Sequence, residues 1–345
     1  MAYTTINKSG EHFNTKLFNG TGSTLNVTGI GFKPDLVWNK ARSGANVNDH
    51  RLIDAVRGAT KNIYSNSNSI EETDVNGLTS FDSDGFTLGN SNGMNNGSTA
   101  YASWNWKANG AGVANTDGSI NSTVSANTTS GFSIVSFVGN ATSGATVGHG
   151  LNAVPKVVII KGRDSALEWR SYFSPIGAGK YMVLNENYAQ ATGSNFMNDT
   201  APTSSVFSLG NGTTPNKNGE NYIAYCFSDV QGFSKIGSYI GNGSADGPFV
   251  YTGFKPAFCI FKRIDGANNW ELYDSKRLGY NSSNPPLYPN TNDVEGSNGR
   301  VDILSNGFKF KTGSSHINGS GGNFIYMAFA EAPLVGTNNV PCTAR

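Results

Sequence analysis

Two kinds of side-chain pair, each spaced three apart and each occurring twice, are where chemistry could reside in this sequence. Asp54-x-x-Arg57 recurs as Asp274-x-x-Arg277. A carboxylate beside a guanidinium can hold a sugar hydroxyl or a facing subunit, although on an open surface such a pair adds little stability. Trp169-x-x-Tyr172 recurs as Trp270-x-x-Tyr273. Indole and phenol rings present large rigid area with a polar tip, which suits stacking on sugars, subunit contacts and packing between sheets alike. Packing between the sheets is the leading reading, and the alternative, one ring of each aromatic pair outside, rests on residues three apart on a strand facing opposite sides. Asp54, Arg57, Trp169, Tyr172, Trp270, Tyr273, Asp274 and Arg277 are therefore the candidate glycan or subunit contacts.

Signals for catalysis are weaker. Glycoside hydrolysis needs two carboxylates facing one bond, and no acidic pair is singled out by spacing. His12, His50, His149 and His316 have no Ser, Cys or acidic partner at a motif spacing. Asp82-Ser83-Asp84-Gly85 resembles half a calcium loop. Its counterparts Ser204-Ser205 and Asn306-Gly307 lack the carboxylates, which marks a turn. Cys226, Cys259 and Cys342 are odd in number and have no metal-binding spacing; the first two sit in apolar runs and read as buried thiols. No enzyme, cofactor or metal site is expected.

The elements that must position these residues announce themselves by repetition. Gly31–Lys40 reads Gly-Phe-Lys-Pro-Asp-Leu-Val-Trp-Asn-Lys; Gly253–Lys262 restates it closely and Leu151–Lys161 more loosely. Each is a proline-started strand, since proline lacks the ladder N–H and the apolar run after it suits a buried strand. Phe86, Phe207 and Phe308 each lie 52 residues beyond Pro34, Pro155 and Pro256, and Tyr101, Tyr222 and Phe324 lie 67, 67 and 68 beyond. Phe18, Phe137 and Tyr239 precede those prolines by 16, 18 and 17. The Trp-x-x-Tyr pairs fall at the place held by His50 and Ile53 in the first copy. The Asp-x-x-Arg place is held by Phe173 and Ile176 in the second.

The expected fold is all-β: three tandem β-sandwich modules of jelly-roll, lectin-like type related by internal repeat. Their expected spans are 1–107, 131–230 and 231–332, with 333–345 an extended, proline-flanked C-terminal tail. Residues 108–130, rich in Gly, Ala, Asn, Ser and Thr, form either a flexible linker or an edge strand carrying Ile120 and Val124. The second and third modules have almost no spacer and should pack together. Charged residues make up only 14% of the 345-residue chain and the net charge is +1, which offers no basic stripe for nucleic acid. No run approaches the length of a membrane helix and no signal peptide is visible, so synthesis in a reducing cytoplasm is expected.

Several longer motifs carry a resemblance. Ala2–Asn7, the Gly-Phe-Lys-Pro-Asp strand, Ser83–Gly89, Ser238–Gly247 and the ending Pro341-Cys342-Thr343-Ala344-Arg345 together resemble virion proteins of marine tailed bacteriophages, such as those of cyanobacteria. Members look like repeated lectin-like modules of concanavalin or jelly-roll type and are described as structural or tail-fibre-like. The resemblance implies a virion structural protein, part of a tail fibre or appendage that contacts the host surface. A capsid decoration or head-fibre protein, docked through the segment Glu331–Arg345, is the alternative, and a glycan-processing enzyme is a third. Implied partners are other virion proteins, a homo-oligomer that is by analogy a trimer, and host-surface glycan.

Overall fold

The structure, a computed structural model, describes residues 3–44, 48–277, 281, 284–333 and 335. It is all-β, built from antiparallel sheets, and the same strand order appears three times along the chain. In the first unit Phe13–Asn19, Ala100–Trp106, Leu36–Ala41, Arg51–Asp54, Lys61–Tyr64 and Glu72–Thr73 form one sheet in that order. In the second, Phe132–Val138, Asn221–Phe227, Val157–Gly162, Arg170–Phe173, Lys180–Val183 and Ala191–Thr192 repeat it. In the third, Ser234–Ile240, Asn323–Pro333, Phe254–Arg263 and Glu271–Asp274 repeat the first four places of that order.

Each large sheet has a smaller companion. Leu25–Thr28, Gly85–Leu88 and Leu78–Asp82 form the first; Ala145–Gly148 and Val206–Leu209 the second; Phe249–Tyr251, Gly307–Phe310 and Val301–Leu304 the third. Apolar residues from both sheets make a common core, as where Val135, Val158 and Tyr222 meet Val147, Phe207 and Leu209. The registered anchors lie inside these cores. Phe18 stacks on Tyr101 at 5.3 Å, Phe137 on Tyr222 at 5.2 Å and Tyr239 on Phe324 at 5.0 Å, each pair directly opposite across the first two strands of its sheet. Such cross-strand aromatic pairs hold a register in place.

A buried asparagine locks one loop of every unit. Asn95, Asn216 and Asn318 accept the backbone N–H of Thr21, Asn140 and Asn242 at 2.7, 2.8 and 2.9 Å. Their amide N–H groups donate to Ser23, Thr142 and Ser244 carbonyls. In the first unit, Ser83-Asp84 form the hairpin turn expected there, and the Asp84 carboxylate accepts Gly29 N–H at 2.9 Å and Gly31 N–H at 2.6 Å. Gly85 follows with φ +154, and the place requires glycine because a Cβ there would stand 1.9 Å from the Val27 carbonyl oxygen.

The other faces of the three large sheets meet each other. Trp38, Trp104 and Trp106 from the first unit, Ile159, Tyr225 and Phe227 from the second and Phe258, Ile260 and Phe329 from the third belong to one buried cluster. The first unit is thus packed as closely as the other two, whereas the spacing in sequence singled out only the second and third. Residues 108–130 are not a free linker: Val113–Asn115 and Ser122–Asn127 add strands to the edge of the second sheet, with Ser122–Asn127 paired to Phe132–Val138. Val124 is buried on that strand and Ile120 bridges to Val147.

Two expectations about strand ends need correction. The third anchor strand does not begin at its proline; Phe254–Arg263 runs through Pro256, where the register shifts in a bulge, the arrangement that spares a proline its missing ladder bond. The final strand extends to Pro333, which pairs with Phe254. The rest of the expected extended tail lies, Val335 apart, outside the described residues.

Candidate functional site

All eight candidate residues are buried, Trp169, Asp54, Asp274 and Tyr273 at 0% exposure. The alternative reading, one ring of each aromatic pair facing solvent, is corrected. Trp169 and Tyr172 do point to opposite faces, but Trp169 enters the shared central cluster and Tyr172 the core of its own unit. Both faces of each large sheet are covered, so alternation carries no ring outside.

What these residues build is a set of seams between units. Asp54, at the end of a strand, accepts the backbone N–H groups of Val56 and Arg57 at 3.1 and 2.9 Å, and Arg57 Nε at 2.5 Å. The same carboxylate accepts the hydroxyl of Tyr225 from the second unit at 2.8 Å. Arg57 continues to Glu71 at 3.2 Å, and Glu71 receives Arg163 of the second unit at 2.9 Å. The third unit repeats this against the first. Asp274 accepts Arg277 Nε at 2.6 Å and the indole N–H of Trp104 at 2.9 Å; Arg277 reaches Glu295 at 3.1 Å, and Glu295 receives Arg42 at 2.5 Å.

Between the second and third units the same places are apolar. Phe173 packs on Trp270 with ring centroids 5.7 Å apart, and Ile176 is buried. One backbone bond marks all three seams: Glu71 N to Arg163 O at 2.8 Å, Gln190 N to Ile264 O at 2.8 Å and Glu295 N to Arg42 O at 3.2 Å. First joins second, second joins third, and third joins first, so the ring is closed. The tryptophans serve the same seams. Trp169 Nε1 donates to Tyr64 O at 2.8 Å and Trp270 Nε1 to Val183 O at 3.0 Å, each across to the preceding unit. His50 stands in their place in the first unit and accepts the indole N–H of Trp38 at 3.0 Å.

The electrostatics follow from burial. It works against the Arg57 charge, but Asp54, Tyr225 and Glu71 outweigh it and hold the guanidinium above its usual value. Arg277 is raised in the same way, by Asp274 and Glu295. His50, wholly buried and facing Lys40 and Arg277, is driven well below the ordinary histidine value and is neutral.

One set of residues escaped the reading of the sequence although its signal was printed in the repeat. Lys40, Lys161 and Lys262 close the three anchor motifs, and all three are fully buried. Each ammonium meets a carbonyl of the preceding unit: Lys161 with Asn68 at 3.2 Å, Lys262 with Asn187 at 3.3 Å and Lys40 with Asn292 at 2.9 Å. Burial lowers their pKa values to about 8, about 8 and about 7 for Lys40, Lys161 and Lys262. A lysine ending a strand looks like a solvated terminus; only its recurrence at a fixed place suggested otherwise. Cys226 and Cys259 are buried thiols, and burial pushes Cys226 up to about 12. Neither is a poised nucleophile.

At the centre of the ring lies an apolar cavity of about 20 Å³ lined by residues including Trp38, Trp106, Trp169, Tyr225, Phe227 and Met327. Among the described residues, no three His, Cys, Asp or Glu side chains gather to hold a metal ion, and no helix is long and apolar enough to cross a membrane.

Fold and seams together define an all-β protein whose buried polar groups lock a closed ring of sheets. The chain belongs to the family described as "Domain of unknown function (DUF7483)", whose model matches residues 8–333 and so takes in all three units. No curated protein and no solved structure matches it.

Proposed function

We propose that this chain is a non-enzymatic structural protein of a bacteriophage virion, part of a tail fibre or related appendage that contacts the host surface. Its three units are read as copies of one lectin-like jelly-roll sandwich module. The observation that carries the reading is the closed ring: the same strand order and the same seam occur three times. The charged groups at the seams are paired with one another, and the outer edges are left to meet partners. Three outward faces on one body favour multivalent attachment, in which weak contacts engage together and gain avidity. The resemblance of the motifs to phage virion proteins supports assigning that body to a particle.

The partners are other virion proteins, further copies of this chain and host-surface glycan. Three-fold order is already present within one polypeptide, so assembly with further copies, by analogy as a trimer, has to use outward surfaces rather than the seams.

Gold-labelled antibody against the recombinant protein, imaged on intact particles, tests the reading. Label at the tail is expected. Label over the head replaces it by capsid decoration, and absence of label from particles removes both. Release of new reducing ends from host polysaccharide by the purified protein would overturn the non-enzymatic part.

A further inference from the structure

The three units differ most on their outer edges. Val27, Val147 and Val250 sit opposite Phe86, Phe207 and Phe308 in the small sheets, which fixes equivalent positions. The residues on either side, turned to the opposite face, are Asn26 and Thr28 in the first unit, Thr146 and Gly148 in the second, and Phe249 and Tyr251 in the third. Phe249 is 45% exposed and Tyr251 is 51% exposed. Two exposed aromatic rings thus share this face, in one unit of three.

Tyr251 borders a cleft of about 310 Å³ that is also lined by Tyr3, Asp229, Gln231, Ser234 and Lys235. The site is built rather than incidental. Lys235 Nζ donates to the Tyr251 carbonyl at 2.8 Å and stands 5.5 Å from the centre of its ring. The Tyr3 hydroxyl donates to the Gly253 carbonyl at 3.2 Å, and the Asp229 carboxylate accepts the Ile236 N–H at 2.8 Å. Two rings and three polar groups are therefore oriented before any ligand arrives.

Its counterparts are made differently. Beside the corresponding strand of the first unit, a cleft of about 320 Å³ is lined by Asn14, Thr15, Lys16, Leu17, Gly29 and Lys276, with no aromatic side chain. In the second unit that edge is covered by Ser122–Asn127.

We propose that the Tyr3–Tyr251 cleft of the third unit binds a neutral, hexose-containing saccharide. A phenol face accepts the C–H face of a pyranose ring. Asp229, Gln231 and Lys235 offer acceptors and donors to its hydroxyls. One carboxylate and one ammonium in the same cleft leave no net charge to select an ionic ligand. The volume matches the lower end of small-molecule sites, roughly 300 Å³. The inference deepens the host-surface reading and rests on it for the choice of ligand class.

The test is binding of the full purified chain to laminarihexaose, maltohexaose, cellohexaose and chitohexaose, measured by titration calorimetry. At least one should bind, and Tyr251→Ala should weaken it about tenfold, the value of one well-placed ring contact, with Phe249→Ala weaker in effect. Thr28→Ala, at the matching place of the first unit, should leave binding unchanged. Thermal unfolding of the variants should match the parent, since both rings are exposed. Binding of none of the four, or binding indifferent to Tyr251→Ala, overturns the proposal. Self-association that is lost in Tyr251→Ala without any saccharide binding also overturns it and assigns the patch to contact between copies. Saccharide binding in a protein that antibody fails to find on particles would defeat the virion reading and leave this one standing.

Discussion

At the seam between the first and second units, Asp54, Arg57, Glu71, Arg163 and Tyr225 form a buried charged network; at the seam between the second and third, the same places hold Phe173, Ile176, Gln190, Ile264 and Met327. Both seams keep the one backbone bond and the same order of strands. A buried ion pair loses solvation for both charges, and a well-packed apolar set of similar size serves equally or better. The comparison teaches that geometry is what the ring requires at this position, and that either chemistry can supply it provided no partner is left alone.

The largest effect should come from leaving a partner alone. Arg57→Ala leaves the buried Asp54 carboxylate without its cation and should cost about 3–5 kcal/mol in urea unfolding, with Arg277→Ala doing the same to Asp274 at the third-to-first seam. Trp270→Ala, at the apolar seam, should lose a comparable amount, about 3–5 kcal/mol, through the cavity it leaves. A Trp270→Ala protein of parental stability would mean the indole is outside the core.

Replacing the whole polar set by its apolar equivalents should do far less harm than removing one member. The combined change Asp54→Phe, Arg57→Ile, Glu71→Gln, Arg163→Ile and Tyr225→Met should stay within about 2 kcal/mol of the parent or exceed it. A collapse of that variant would show that charge at this seam does something geometry alone does not.

The remaining, pH-dependent effects begin with the lysines common to all three seams. Their folded pKa values, about 8, 8 and 7, lie below the value near 10.4 of an unfolded lysine. Between those values the unfolded chain holds protons that the folded chain has shed, so stability rises with pH. From pH 7 to 8.5 the unfolding free energy should increase by about 3 kcal/mol, and Lys262→Met should remove about half of the rise. His50 acts in the same sense at lower pH. Driven below its ordinary value, it should make stability fall as pH drops through about 6.5, to be read by urea unfolding at pH 7 and 5.5.

Much of this architecture was legible beforehand. The anchors at Phe18, Phe86 and Tyr101 and their counterparts fell in strands and cores, because proline, aromatic residues and alternation report local backbone and burial directly. The candidate pairs were found, yet their surroundings were misjudged. Period-two alternation tells which residues share a face, and cannot tell that both faces of a sheet are covered. Glu71, Glu295, Arg42 and Arg163 were missed because each joins its partner across a unit boundary, with Glu295 and Arg42 at opposite ends of the chain. Tyr3 and Tyr251 were missed for the same reason, since the N-terminal segment meets the third unit only in space.

The sequence by itself determined that the chain is all-β and that its plan recurs, since these follow from side-chain period, proline and glycine placement and repeated spacing. Only the tertiary structure decided that the three large sheets close on one another. Ring closure depends on contacts between residues more than 150 positions apart, such as Tyr225 with Asp54 and Trp104 with Asp274, and no local pattern in a chain encodes which distant face will cover its own.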